Sequence, residues 1–121
     1  KPVDLAMGLF NCIWQGDANE RILRSLKHCA NPPNILNLTC PGASSVRTVA
    51  EQLGELLERE VQFSNTESES AWLNNPTKAI ELFGEPETSL NTMLQWTAHW
   101  TKIEGRSHRK PTHFEVRDGK Y

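Results

Sequence analysis

The spacing of apolar positions changes several times along the chain, and each change predicts an element. Val3-Asp4-Leu5 reads as a short extended piece and Gly8 as a turn. Phe10-Asn11-Cys12-Ile13-Trp14 then alternates and is rich in aromatic and branched residues, which predicts a strand entering a core. Gln15-Gly16 interrupts it. Asp17 stands three residues before Glu20, the spacing of a capping box in which each side chain reaches the other's backbone amide. Behind that cap Ile22, Leu23, Leu26, Cys29 and Ala30 recur at helical intervals, with Arg21, Arg24 and Lys27 facing away. This predicts an amphipathic helix stopped by Asn31-Pro32-Pro33, because proline cannot continue one.

Ile35–Thr39 is apolar enough for a strand inside a sheet, and 40–44 is a loop. Ser45, or next to it Ser44, caps a helix whose inner stripe is Val46, Val49, Ala50, Leu53, Leu56 and Leu57. Val61–Phe63 is a short strand, 65–70 a polar surface loop, and Ala71–Leu73 an extended piece. Asn75-Pro76 opens a small helix that ends at Gly84, with Pro86 beyond. Ser89 caps the last helix, where Leu90, Met93, Leu94, Thr97, Trp100 and Ile103 face inward and Gly105 ends the run. The tail over 106–121, of which 110–121 alternates weakly, is expected to pack on the body. The order is strand, helix, strand, helix, strand, helix, helix, tail, which predicts an α/β fold: one small layered domain over 1–121 with short strands and about four helices.

Composition narrows the functional classes. At 121 residues, with 13 basic and 15 acidic side chains and no long run of either sign, neither a nucleic acid nor a membrane surface is the expected partner. No apolar run approaches the roughly 20 residues needed to cross a bilayer. Cys12, Cys29 and Cys40 are odd in number and suit neither a disulfide framework nor a zinc site, which points to a reducing cytoplasm. Asn37-Leu38-Thr39 matches a glycosylation sequon by chance, inside an expected buried strand. The opening Lys1-Pro2-Val3, without Met, reads as though cut from something longer.

Candidate chemistry is sparse. The seven glycines are all more than seven residues apart, so no phosphate-cradling loop exists. Gly16 precedes a helix start, but Asp17 already places a negative charge there. Ser44 and Ser45 are complete as caps. No two of His28, His99, His108 and His113 have metal-ligand spacing. Trp14, Trp72, Trp96 and Trp100 are read as core, with His99 and Trp100 in helix packing and its rim. His113 and Glu115 would share a side of an extended tail, and a solvated tail is the simpler reading.

Taken together, PVDLAMG, NCIWQGDAN, ILNLTCPGASSVRTVAEQLGELL, NNPTKAIELFG and KPTHFEVRDGKY resemble the carboxyl-terminal portion of the NAD-dependent epimerase/dehydratase family, the extended short-chain dehydrogenases/reductases. Asp17 resembles that family's aspartate opening a helix after a strand. Leu38–Ser45 resembles its strand, glycine loop and serine cap. Asn75-Pro76-Thr77-Lys78-Ala79 resembles its Asp-x-Ser-Lys-Ala, with Asn75 in place of the acid. The resemblance implies a parent enzyme in which an amino-terminal Rossmann domain binds NAD or NADP. A Tyr-x-x-x-Lys pair moves the proton there, and a smaller lobe closes over a nucleotide sugar. This chain has one tyrosine, Tyr121, which no lysine follows, and it has no glycine fingerprint.

The reading is therefore a substrate-binding lobe, not catalytic alone and binding no cofactor itself. Its own Rossmann domain is its partner, and its exposed domain face is prone to self-association. Asn11, Trp14 and Gln15, where the first strand delivers its end, are the candidate substrate contacts. The alternatives are a free-standing protein-interaction module docking through Trp14, Trp72 or the tail, and a hydrolase using Ser45 or His113. The hydrolase is the weakest, as no base–nucleophile spacing supports it.

Overall fold

The computed structural model describes residues 1–68, 71–108 and 110. Of the expected tail over 106–121 only 106–108 and 110 are among these residues, and the His113/Glu115 pair falls outside them. Among them the order is β1 (Val3–Asp4), β2 (Leu9–Phe10), α1 (Gln15–Ser25), a 3-10 turn (Leu26–His28), β3 (Ser44–Ser45), α2 (Val46–Leu57), β4 (Phe63–Ser64), α3 (Thr77–Phe83) and α4 (Leu90–Lys102). The fold class is α/β, with four α-helices and short strands.

The strands form two small sheets. β1 runs parallel to β4, Val3 opposite Phe63, and β2 runs antiparallel to β3, Leu9 opposite Ser45. Trp72 adds a single parallel bridge to Phe10, its amide donating to the Leu9 carbonyl at 3.2 Å. The expected strand 10–14 shrinks to Leu9–Phe10, and Val61–Phe63 shifts to Phe63–Ser64. Ile35–Thr39 is not a strand: nothing pairs with its backbone among the described residues, and Ile35 is 79% exposed. An apolar run states a preference for a ladder, but it takes a neighbour to make one.

The caps of α2 and α4 follow the sequence, whereas α3 begins one residue later than expected, at Thr77, with Pro76 rather than Asn75 in the cap position. Ser45 accepts from the Thr48 amide at 3.3 Å and Ser89 from the Thr92 amide at 3.1 Å. The Asn75 carboxamide oxygen accepts from the Thr77 amide at 3.0 Å, and Gly84 closes α3 at φ 81°, where a side chain would be strained. α2 ends on Glu58 in the left-handed region, φ 55°. Its Gly54 is buried against Val61, and a Cβ there would overlap the valine side chain and lie 2.9 Å from the Arg59 carbonyl oxygen.

α1 departs from expectation in two ways. It begins at Gln15 with Trp14 in the cap position, and no side chain caps it. The Asp17 carboxylate points away from the helix start and accepts from the Thr88 amide at 2.9 Å and the Thr88 hydroxyl at 3.0 Å. Because side chains at i and i+4 share a face, fixing Asp17 inward turns Arg21 inward with it. Arg21 is 4% exposed, whereas Ile22, Leu23 and Leu26 are half to two-thirds exposed. The apolar face read as inward therefore faces out. The helix also stops at Ser25 rather than near Ala30, the Ser25 hydroxyl donating back to the Ile22 carbonyl.

The buried apolar residues among those described are Leu5, Met7, Val46, Ala79, Leu94 and Ala98. On α4 the inward line is Leu94 and Ala98; Trp100 and Ile103 are more than half exposed, contrary to the expected stripe. Trp14 and Trp96 are also substantially exposed, so three of the tryptophans read as core stand at the surface. No helix among the described residues is long and apolar enough to cross a membrane.

Candidate functional site

Two hollows compete for attention. The larger, about 610 Å³, is an apolar trough along α2 walled by Val49, Leu53 and Leu57 and by Val3 and Val61. It offers little with which to orient a polar ligand. The smaller, about 310 Å³, lies between the Asn11-Cys12 segment, the Cys40–Ser44 loop and the linker 85–89 leading into α4. There polar groups converge with Met93 of α4, the mixture that fixes and recognises a small molecule. It is the candidate site.

Its walls are tied by side chains rather than by regular structure. Asn11 donates to the Asn74 carbonyl at 2.8 Å and accepts from the Asn74 amide at 3.1 Å, so its carboxamide clamps the segment before α3. It also approaches the Cys40 carbonyl at 3.5 Å. On the other wall the Asp17–Thr88 pair anchors the linker to α1. Arg21 lies behind that tie, its Nε buried with no hydrogen-bond partner. A buried guanidinium without a full set of partners is costly, and Asp17, Glu85 and Glu87, which line the small adjacent hollow with it, supply opposite charge.

Of the three predicted contacts, Asn11 lines this cleft, though its amide is already committed. Trp14 and Gln15 do not line it. Trp14 is 39% exposed, its ring edge-on to Trp96 with centroids 5.0 Å apart. Gln15 is exposed at the first position of α1.

Sequence reasoning missed Asp17–Thr88, because an aspartate before a helix serves equally as cap or as tether. It also missed Cys12 and Cys40, which lie 28 positions apart in sequence and share a wall here. Burial pushes both thiols above their ordinary value, and for Cys40 the neighbouring Cys12 and Asp17 add to it. Both are therefore thiols at neutral pH rather than activated nucleophiles. No histidine lines the cleft, and no group of three or more His, Cys, Asp or Glu among the described residues could hold a metal ion. The arrangement can hold and orient a polar molecule.

No protein-family model matches the chain, and no curated protein matches it. Among solved structures, the UDP-glucuronic acid 4-epimerase from Bacillus cereus, determined in complex with NAD, is similar with a TM-score of 0.66 and 15% identity. The match covers 88% of this chain and 36% of that one, so the chain spans about a third of the length of the protein it resembles. At that identity the likeness establishes the fold: this small α/β unit is similar to part of that epimerase.

Proposed function

We propose that the chain is the substrate-side portion of an NAD(P)-dependent epimerase/dehydratase-like enzyme acting on a nucleotide sugar, and that the redox machinery lies on other sequence. The observation that carries this reading is the partial coverage: nearly all of this chain corresponds to about a third of a nucleotide-sugar epimerase. The outward face of α1 supports it. Ile22 and Leu23 on it, and Leu26 in the turn that follows, present apolar surface that a folded partner, here a Rossmann domain, would cover. Completing the burial of such side chains is worth on the order of 1 kcal/mol each, enough to hold two domains together. In this reading the cleft around Asn11 contacts the sugar nucleotide, Gln15 at the start of α1 is a further contact, and a base or sugar ring stacks on the Trp14–Trp96 pair.

The same exposed face supports a second reading, a free-standing module that docks another protein. Calorimetric titration of the chain with NAD, NADP and a UDP-sugar separates the two. The first reading expects no dinucleotide binding and weak UDP-sugar binding that quenches Trp14 fluorescence; the second expects neither ligand to bind. Clear binding of either dinucleotide by this chain alone overturns the first. On either reading the triple variant Ile22→Lys, Leu23→Glu, Leu26→Lys leaves the fold intact, since these side chains are already exposed, and reduces self-association in sedimentation.

A further inference from the structure

Three cysteines occur in the chain and none is bonded to another. Cys29 is exposed, in a separate hollow with Ile22 and Leu36. Cys12 and Cys40 are different. The β2·β3 pairing runs antiparallel through Phe10 and Ser44, and the two segments stay together beyond it, the Cys40 amide donating to the Cys12 carbonyl at 3.1 Å. That backbone bond lies beyond the ladder, whose register would set Cys12 opposite Gly42, and it brings the two cysteines side by side; a disulfide needs their Cα atoms roughly 4.4–6.8 Å apart. Both residues are half-buried and both line the cleft, so both are within reach of a small reagent.

We propose that Cys12 and Cys40 form a dithiol site that is oxidised as a unit to an intramolecular disulfide by a low-molecular-weight disulfide such as glutathione disulfide. One thiolate attacks the reagent, forming a mixed disulfide and releasing one reagent thiolate. The second protein thiolate then attacks the cysteine sulfur of that mixed disulfide, forming the Cys12–Cys40 bond and releasing the other reagent thiolate. The two reagent thiolates take up the two protons that the cysteines gave up. The protein pair loses two electrons, and the reagent gains them. The new bond joins the Asn11-Cys12 segment to the Cys40–Gly42 segment within the lining of the cleft, so oxidation alters that lining rather than a remote surface. This holds whether or not the cleft takes a nucleotide sugar. Because both thiols sit above their ordinary value, the rate rises with pH through the alkaline range.

The test uses the full chain without denaturant, incubated with excess glutathione disulfide at several pH values, alkylated, and read by intact mass and peptide mapping. The expected product has a Cys12–Cys40 linkage and glutathione on Cys29 alone. In Cys12→Ser the adduct is trapped on Cys40, and in Cys40→Ser on Cys12, because the resolving thiol is gone. In urea the specificity is lost, and links of Cys29 to either residue appear. Stable glutathione on both Cys12 and Cys40 of the wild-type chain overturns the proposal. So does a link to Cys29 in the folded chain, or Cys12 and Cys40 left free while Cys29 is fully capped. The wild-type map decides between these outcomes by itself, so a variant that folds poorly does not affect the result.

Discussion

Replacing Asp17 by Ala removes a carboxylate that accepts two hydrogen bonds from one residue, at 2.9 and 3.0 Å. A hydrogen bond to a charged group contributes about 1.5–3 kcal/mol when well buried; both partners here are half-buried, and about 1 kcal/mol per bond is the appropriate scale. A negative charge in the first turn adds about 0.5 kcal/mol through the helix dipole. Asp17→Ala is thus expected to cost about 2–3 kcal/mol. Thr88→Val, which keeps the amide and removes the hydroxyl, costs about 1 kcal/mol. In the double variant only the amide bond and the dipole contribution remain to be lost with the carboxylate, so the coupling is about 1 kcal/mol. Urea denaturation followed by far-ultraviolet circular dichroism measures all four corners of the cycle, and Asp17→Ala should also lower Tm by roughly 6–12 °C. Were Asp17 a helix cap instead, its loss would cost about 1 kcal/mol with no dependence on Thr88. Coupling below about 0.3 kcal/mol refutes the tether.

Two further perturbations probe packing and charge. Gly54→Ala places a methyl group against Val61 and the Arg59 carbonyl; overpacking of about 1–3 kcal/mol outweighs the helix-propensity gain of about 1 kcal/mol, so the variant is destabilised, and Val61→Ala in the same chain recovers part of the loss in the same denaturation assay. The Asp4 carboxyl is held below its ordinary value, first by the Asn65 side-chain amide and next by the Ala6 backbone amide. A depressed folded value means the stabilisation is present above the unfolded value and is lost as pH falls through the folded one. Asn65→Ala should therefore move the Asp4 titration, followed by carbon-detected NMR, upward toward 3.8; an unmoved midpoint contradicts the assignment.

What could be read from the sequence was what is decided locally. Ser45, Ser89 and Gly84 terminate helices through bonds to residues a few positions away, and Asn75 bonds the first amide of α3 from just outside its cap; such bonds need no knowledge of the rest of the fold. The α1 face was misplaced for the complementary reason. Helical spacing says that Ile22, Leu23 and Leu26 share a side, but which side is buried was set by Asp17 reaching Thr88, 71 positions away. The strands failed likewise: 35–39 has strand composition and no neighbour here, while Phe63–Ser64 pairs because Val3–Asp4 lies beside it. In the cleft, Asn11 was read as the second residue of a strand over 10–14, which the structure ends at Phe10. The Cys12–Cys40 juxtaposition was not legible, because nothing in the spacing of two cysteines announces a shared wall.

The bond from Asp17 to Thr88 also has a consequence for how the chain is made. At about 5–20 residues per second, a ribosome takes roughly 4–14 s to produce the 71 residues separating these partners. Val3 likewise waits for Phe63. Throughout that interval the leading segment can form α1 only as an unanchored helix, its Arg21 and Leu23, and Leu26 just beyond, equally wet. Synthesis thus opens a window of seconds in which a chaperone meets the same leucines that the finished fold leaves uncovered.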